Sequence, residues 1–211
     1  GSNNTFVGGY ETGFSNTSGG NNVAVGYQAL TSNTTASNNT AVGYQAGYSN
    51  TTGSDGVFVG GAAGKLNTTG LQNTAVGTSS LGANSGTGTH TGSYNSAIGM
   101  YSMTFNQSGS YNTALGYDSL RSNTTASYNT ALGYQAAYSA STVGSVTALG
   151  AQAAYSITGG GSVVAVGNSA MYSNTTGANN VAVGWQSLYS NTTASNNTAV
   201  GYQAGYSNTT G

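Results

Sequence analysis

The apolar and polar positions of this chain repeat in one short pattern from end to end. Its clearest part is a segment of the type Thr/Val-Ala-Val-Gly, in which an aliphatic residue precedes a glycine. These marker glycines are Gly9, Gly26, Gly43, Gly60, Gly77, Gly99, Gly116, Gly133, Gly150, Gly167, Gly184 and Gly201. Their spacing is 17 residues, except for 22 between Gly77 and Gly99. The pattern predicts twelve 17-residue coils in a single repeat array over 1–211, with one five-residue insertion within 82–93.

Each coil is predicted to contain two short strands and a polar turn. The residues before the marker alternate as in a strand, and the glycine permits a bend after it. The position three residues after the marker is always small, for example Ala46, and we interpret residues 44–48 as a second strand. An asparagine lies seven residues after the marker in ten of the twelve coils, within a Ser-Asn-Thr-Thr segment that favours a turn.

Coils of this size gain their stability by stacking, because ordering each residue costs roughly 1–2 kcal/mol and one coil buries few side chains. In a parallel stack, equivalent side chains lie about 4.8 Å apart, where two like charges repel by about 1 kcal/mol even in water. The chain has only two Lys and Arg residues, three Asp and Glu residues and no proline, which would remove a ladder donor. The sequence therefore predicts an all-β parallel β-solenoid or β-roll, a rod of roughly 55–60 Å.

The scarcity of charge also limits the partners of this chain. Lys65 and Arg121 are its only basic side chains apart from one histidine, so it has no stripe of cations to neutralise phosphates. We expect neither nucleic acid nor an anionic membrane surface as a partner. No apolar run approaches the length of a membrane span, so we expect no membrane insertion in this segment. Cysteine is absent, which excludes disulfides and thiolate chemistry.

The ionisable residues do not form a catalytic or metal-binding pattern. Glu11 and Asp118 lie six coils apart, and Asp118 with Arg121 is expected to form only an exposed ion pair. His90, the single histidine, lies in the insertion without a neighbouring cysteine or carboxylate, and we expect an exposed loop residue. We therefore expect no enzymatic activity, no cofactor and no metal site, while the insertion is a candidate for a specific contact.

Tyrosines recur at two positions of the coil. One file directly follows the marker glycine, as at Tyr27 and Tyr44, and a second lies five residues after it. Aromatic files bind sugars or apolar partners by stacking, but they also form packing ladders or a trimer interface, and the packing role is favoured here. The candidate surface contacts are Tyr48, Tyr138, Tyr155, Tyr172, Tyr189, Tyr206 and His90.

The strand motif, seen at residues 39–43, 95–99 and 163–167, resembles the YadA-like head repeats of trimeric autotransporter adhesins. The resemblance covers all twelve coils. It implies a left-handed parallel β-roll, three chains packed side by side as a homotrimer, and binding to host matrix or other surfaces. The repeat at 196–206 is also similar to those of bacteriophage tail-fibre shafts.

Three functions agree with this pattern to different degrees. We expect a non-enzymatic structural or adhesive fibre segment, extracellular, on a cell surface or on a virion, that binds through a repetitive face. Its partners would be further copies of itself, as a homotrimer or stacked end to end, and host matrix or cell-surface glycan. The alternatives are a bacteriophage tail-fibre shaft and an ice-binding β-solenoid. Against ice binding, the threonines of the turn, such as Thr34 and Thr35, lie in a bend rather than in an evenly spaced strand.

Overall fold

The computed structural model describes residues 1–82 and 88–210, and the described chain is a β-solenoid built on one twelve-stranded parallel sheet. The strands are β1 (Thr5–Val7), β2 (Val23–Val25), β3 (Thr40–Val42), β4 (Val57–Val59), β5 (Thr74–Val76), β6 (Ser96–Ile98), β7 (Thr113–Leu115), β8 (Thr130–Leu132), β9 (Val146–Leu149), β10 (Val163–Val166), β11 (Val181–Val183) and β12 (Thr198–Val200). Each strand pairs with the next in chain order. The predicted all-β parallel solenoid is confirmed. Within 1–82 and 88–210 no helix is long and apolar enough to cross a membrane.

The strands place alternate residues inside and outside the coil. In β3, Ala41 is buried, whereas Thr40 is half-buried and Val42 is exposed on the opposite face. The pairing keeps equivalent residues in line, so that Ala24 lies beside Ala41 and Val25 beside Val42. A file of alanines, interrupted by Phe58, therefore lines the interior, and the aliphatic residue before each glycine lies outside.

The predicted second strand is wrong. Residues 44–49 form a turn in which alternate residues have left-handed backbone angles, with φ of 54° at Gln45 and 58° at Gly47. An extended strand requires negative φ, so this segment curls instead of extending. It still bonds between coils: the Gln45 N–H donates to the Tyr27 carbonyl and the Gly47 N–H to the Ala63 carbonyl, both at 2.9 Å. These bonds to neighbouring coils stabilise a backbone conformation that non-glycine residues seldom adopt.

The first coil differs from the predicted register by one residue. Val7 pairs with Val25, and the Gly26 N–H donates to the Val7 carbonyl, so Gly8 rather than Gly9 is equivalent to Gly26. The distance along the chain from the first strand to the second is therefore 18 residues instead of the predicted 17. The five-residue insertion lies mostly on 83–87, outside the described residues, and the proposed contact there lies outside them as well. The chain rejoins the repeat at His90, whose carbonyl accepts from the Thr68 N–H.

Two files of buried asparagines hold the turns together. In the first file, the Asn50 side-chain amide donates to Asn33 Oδ1 in the neighbouring coil and to the Gly53 carbonyl in its own turn. In the second, the Asn39 amide donates to the same Gly53 carbonyl, while Asn39 Oδ1 accepts from the Gly56 N–H. Asparagine suits this role because its amide both donates and accepts without charge. Asn33 and Asn50 each begin an Asn-x-Thr sequence, which is the acceptor for N-linked glycans. Their side-chain amides are buried inside the coil and are therefore not accessible for glycosylation.

Large side chains in the core are matched by small ones beside them. Phe58, which stands where most coils have alanine, is fully buried. Its ring occupies the space that a Cβ would need at Gly47, Gly56 and Gly64. Elsewhere, the position equivalent to Gly47 carries a buried side chain such as Leu30. The core volume is thus conserved between neighbouring coils rather than within each coil.

Replacing Phe58 with alanine should open a cavity, because three of its neighbours are glycines that cannot close over the space. We expect Phe58→Ala to lower the free energy of unfolding by about 3–5 kcal/mol. Phe14→Ala is the matched control, because Phe14 is exposed and should have almost no effect. Denaturant unfolding followed by circular dichroism measures both. Equal effects from the two substitutions would contradict this account of the core.

Candidate interaction surfaces

The outer side of the twelve-stranded sheet forms a long uncharged surface, which we call the sheet face. Its first file contains Thr5, Val23, Thr40, Val57, Thr74, Ser96, Thr113, Thr130, Thr147, Val164, Val181 and Thr198. Its second file contains Val7, Val25, Val42, Val59, Val76, Ile98, Leu115, Leu132, Leu149, Val166, Val183 and Val200. Leu132 is 44% exposed. Direct strand pairing in register aligns these side chains.

Five of the six predicted contact tyrosines form one continuous stack, the tyrosine column. It consists of Tyr138, Tyr155, Tyr172, Tyr189 and Tyr206. Neighbouring ring centroids are 5.0–5.2 Å apart and the planes are within 11° of parallel. Tyr48 lies apart from it, because the equivalent residues in the adjoining coils are Thr31 and Lys65.

Stacking changes what the tyrosine column offers to a partner. Each internal ring, such as Tyr172, has a neighbouring ring against both faces and is half-buried. Only ring edges and hydroxyl groups therefore face outward, and the column does not present ring faces to a sugar. Burial, with its tyrosine neighbours, raises the pKa of the Tyr155 hydroxyl, so this hydroxyl stays uncharged at neutral pH.

A second aromatic file, the bend file, follows the glycines that end the strands. Its members are Tyr10, Tyr27, Tyr44, Gly61, Thr78, Met100, Tyr117, Tyr134, Ala151, Asn168, Trp185 and Tyr202. The rings stack in three separate groups, for example Trp185 on Tyr202 at 5.0 Å. A third stack of Tyr94, Tyr111 and Tyr128 was not predicted, although each of them precedes an asparagine that leads into a strand.

Arg121 closes one end of the tyrosine column. Its guanidinium lies 5.9 Å from the Tyr138 ring centroid and 5.4 Å from that of Tyr101. It donates to Asp118 Oδ1 at 3.0 Å, which confirms the predicted pairing. Asp118, however, is 3% exposed rather than exposed as expected. The Asp118 carboxylate neutralises the charge of the guanidinium, and the electron-rich faces of the aromatic rings attract it.

The prediction that His90 is an exposed surface contact is wrong. Its side chain is fully buried and takes an asparagine's place in the first file. Nδ1 lies 2.9 Å from Asn67 Oδ1, and Nε2 lies 2.9 Å from the Asn106 amide nitrogen. An amide oxygen only accepts and an amide NH₂ only donates, so Nδ1 carries the proton and Nε2 accepts. The imidazole thus joins two asparagines across the coil that contains the insertion.

Burial lowers the pKa of His90 from its ordinary 6.5 to about 4. Protonation would also place an N–H at Nε2 opposite the Asn106 NH₂, where two donors face each other. The neutral form is therefore the one that fits the coil.

Within the described chain, the carboxylates lie singly in different coils rather than in a cluster. Within 1–82 and 88–210, no group of three His, Cys, Asp or Glu side chains is placed to hold a metal ion, and the same residues enclose no cavity. Glu11 accepts a hydrogen bond from the Gln28 amide at 2.8 Å, and Asp55 accepts one from the Asn38 amide at 3.0 Å. Each of these two carboxylates is thus the last member of a row of side-chain amides, since Gln28 bonds to Gln45 and Asn38 to Asn21 in the coils beyond.

Acid should destabilise the rod at His90. Because its pKa is lower in the folded chain than in the unfolded one, the stability from the neutral ring is complete above pH 6.5 and is lost as the pH falls towards 4. We expect the free energy of unfolding to fall by up to about 1.4 kcal/mol per pH unit in that range.

Denaturant unfolding at pH 7.0, 6.0 and 5.0 measures this effect above the ordinary range of carboxyl titration. The control is His90→Asn, which restores the residue type of the file and removes the titrating group. We expect the variant to lose most of the decline in stability. An identical decline in both proteins would rule out His90 as its cause.

Comparisons with known proteins return no match: no family model, no curated protein and no solved structure is similar to this chain. The function is therefore inferred from the surfaces described above.

Proposed function

We propose that this chain is a non-enzymatic extracellular fibre segment whose copies pack side by side through the sheet face, so that it acts as a rigid and adhesive rod. The sheet face is the observation that carries the proposal. It joins twelve strands in one register, has no charged side chain, and exposes an aliphatic residue in eight of its twelve coils. Long uncharged surfaces of this kind are typical of interaction sites.

The size of the sheet face suits an interface between copies. Its side chains repeat about every 4.8 Å between strands and about 6.6 Å along each strand, so twelve strands cover roughly 750 Å². A stable interface buries about 800 Å² per partner. Packing copies along this face would also cover the flat, long sheet of Val42 and its equivalents, which is otherwise a hazard for aggregation.

The thin interior of each coil supports association of more than one copy. One coil encloses little beyond a strand alanine such as Ala41, a second small residue such as Ala29, one apolar side chain such as Leu30 and two asparagines. Three chains packed side by side, as the resemblance to trimeric autotransporter adhesins implies, would give the rod a shared core. The repetitive outer turns would then be free to bind host matrix or cell-surface glycan many times along one fibre.

A charge in the middle of the sheet face should weaken association. We expect the native chain to sediment as a trimer at micromolar concentration, and Leu132→Lys to shift it towards the monomer because the new ammonium would be buried without a partner. Thr125→Lys is the matched control, since Thr125 is exposed on a turn.

Sedimentation velocity, with circular dichroism to verify folding, distinguishes the two variants. A native chain that is monomeric at tens of micromolar would refute the side-by-side proposal. A control that dissociates as much as Leu132→Lys would place the interface elsewhere.

Ice binding by the same sheet face is a second candidate function. The strand threonines, including Thr40, Thr74 and Thr130, lie in one file on the outer side of the sheet, unlike the turn threonines. Regular files of hydroxyl and methyl groups are compatible with an ordered solid surface. The sheet face cannot serve both functions at once, because association would cover it.

Thermal hysteresis of the purified chain tests this alternative. If ice binds the sheet face, we expect hysteresis in a monomeric preparation and its loss in Thr130→Lys, because a charged side chain in the file would disrupt the flat array. Thr125→Lys on the turn should retain it. Absence of hysteresis in the native chain would dismiss this function.

A further inference from the structure

The bend file contains a gap with an aromatic ring on both sides, which we call the aromatic notch. It consists of Tyr134, Ala151, Asn168 and Trp185, which occupy the same position in four successive coils. Backbone bonds fix this order: the Gln152 N–H donates to the Tyr134 carbonyl at 2.8 Å, and in the next coils the Ala151 and Asn168 carbonyls accept the equivalent bond. Two small or polar side chains therefore form a floor between two rings.

Both rings of the notch have one stacked face and one free side. Tyr134 stacks on Tyr117 with centroids 5.8 Å apart, and Trp185 stacks on Tyr202 with centroids 5.0 Å apart. The opposite face of each ring is directed towards the floor, where the next member of the file has no ring. Tyr134 is 51% exposed and Trp185 is 41% exposed. Unlike the rings inside the tyrosine column, these two retain a face for a partner.

The dimensions of the notch suit a pair of ring-sized groups. Three coil steps separate Tyr134 from Trp185, which is roughly 14 Å. Carbon atoms in contact lie about 3.5–4.0 Å apart, so each wall has room for one saturated ring against its free face. The other gap in the bend file, at Gly61, Thr78 and Met100, lies between Tyr44 and Tyr117, but Tyr101 of the Met100 coil contacts the Tyr117 ring edge-on at 6.0 Å. Among the described residues, the notch is the gap in this file whose two walls contact no aromatic ring on the side of the floor.

The chemistry of the notch favours a neutral sugar. A sugar ring has faces of C–H groups, which carry slight positive charge and are attracted to the negative face of an aromatic ring, and a rim of hydroxyl groups. Asn168 is exposed on the floor, where its Oδ1 accepts from Ser169 Oγ at 3.0 Å and its NH₂ can donate to such hydroxyls. The nearest charges, Asp118 and Arg121, are already paired with each other, so nothing attracts an ionic ligand.

We propose that the aromatic notch binds a neutral oligosaccharide, with sugar rings against Tyr134 and Trp185 and hydroxyl groups bonded to Asn168. This proposal rests on the adhesive part of the proposed function and gives it a ligand class. The notch lies beyond the bend, outside the sheet face, so the two proposals stand on different surfaces. A monomeric chain that binds the oligosaccharide would refute the packing of copies through the sheet face and leave the sugar-binding proposal standing.

Trp185 provides a direct measurement, because it is the only tryptophan in the chain. The native protein is titrated with cellohexaose, chitohexaose and maltohexaose, and separately with an anionic alginate oligosaccharide, while the tryptophan fluorescence is recorded. We expect a saturable change with at least one of the neutral oligosaccharides and none with the anionic one. No saturable change with any neutral oligosaccharide, or a change with alginate alone, would overturn the proposal.

Two variants and a control locate the binding. Tyr134→Ala should weaken binding about five- to tenfold through loss of one stacked ring, while the Trp185 signal remains. The double variant Ala151→Tyr with Asn168→Tyr should abolish binding by filling the notch with side chains that other coils accept at that position. Tyr27→Ala, within the stack of Tyr10 and Tyr44, is the control and should bind as the native chain does.

Three results would contradict this location. In the first, Tyr27→Ala binds the oligosaccharide as weakly as Tyr134→Ala does. In the second, the double variant with the filled notch still binds it. In the third, the tryptophan fluorescence changes with protein concentration in the absence of sugar. The last result would assign the notch to a second copy of the chain. Circular dichroism of each variant separates these results from misfolding.

Discussion

Every side chain of this solenoid must be compatible with its own equivalent one coil away, and that constraint determines the rest of the structure. Strand pairing in direct register brings Val25 beside Val42 and Ala24 beside Ala41 along the whole rod. Asparagine, tyrosine and glutamine meet the requirement because each gains from a copy of itself through hydrogen bonds or stacking. A carboxylate would be repelled by a copy of itself, and Glu11 and Asp55 instead lie beside the amides of Gln28 and Asn38, which donate hydrogen bonds to them.

The departures from the repeat matter as much as the repeat itself. Phe58 is accommodated because Gly47, Gly56 and Gly64 leave room for its ring. His90 keeps an asparagine file continuous through the coil with the insertion, and Asp118 neutralises the guanidinium that ends the tyrosine column. Such substitutions make individual coils distinct, which limits alternative registers in a chain of nearly identical units. The aromatic notch is a departure of the same kind, but it lies on the surface.

The period, the parallel stack, the absence of charge and the grouping of tyrosines could be predicted from the sequence, because each depends on spacing alone. The turn at 44–49 could not, since residues such as Gln45 adopt left-handed angles only when neighbouring coils bond to their backbone. The exposed position predicted for His90 is wrong because the insertion changes its distance from the marker glycine. In addition, a histidine at an asparagine position does not show in the sequence that it continues the file. The tyrosine column was predicted as a group, but the loss of its ring faces depends on a stacking geometry that spacing does not specify.

The two asparagine files are both interrupted in the same two coils, and this divides the rod into regions of different cohesion. Ala140 and Ile157 interrupt the first file, Val146 and Val163 interrupt the second, which also lacks an asparagine at Gly56, and Asn123 Oδ1 is left without a donor beside Ala140. In a linear array, where each unit contacts only its neighbours, such a joint separates two cooperative blocks. At the positions of the two files the side-chain contacts there are apolar, and apolar attraction weakens on cooling, while the Gln152 amide still donates to Gln135 Oε1 and the tyrosine column continues through these coils. We therefore expect the segment around residues 140–163 to be the part of the fibre most sensitive to cold, and the place where a pulled filament would first divide.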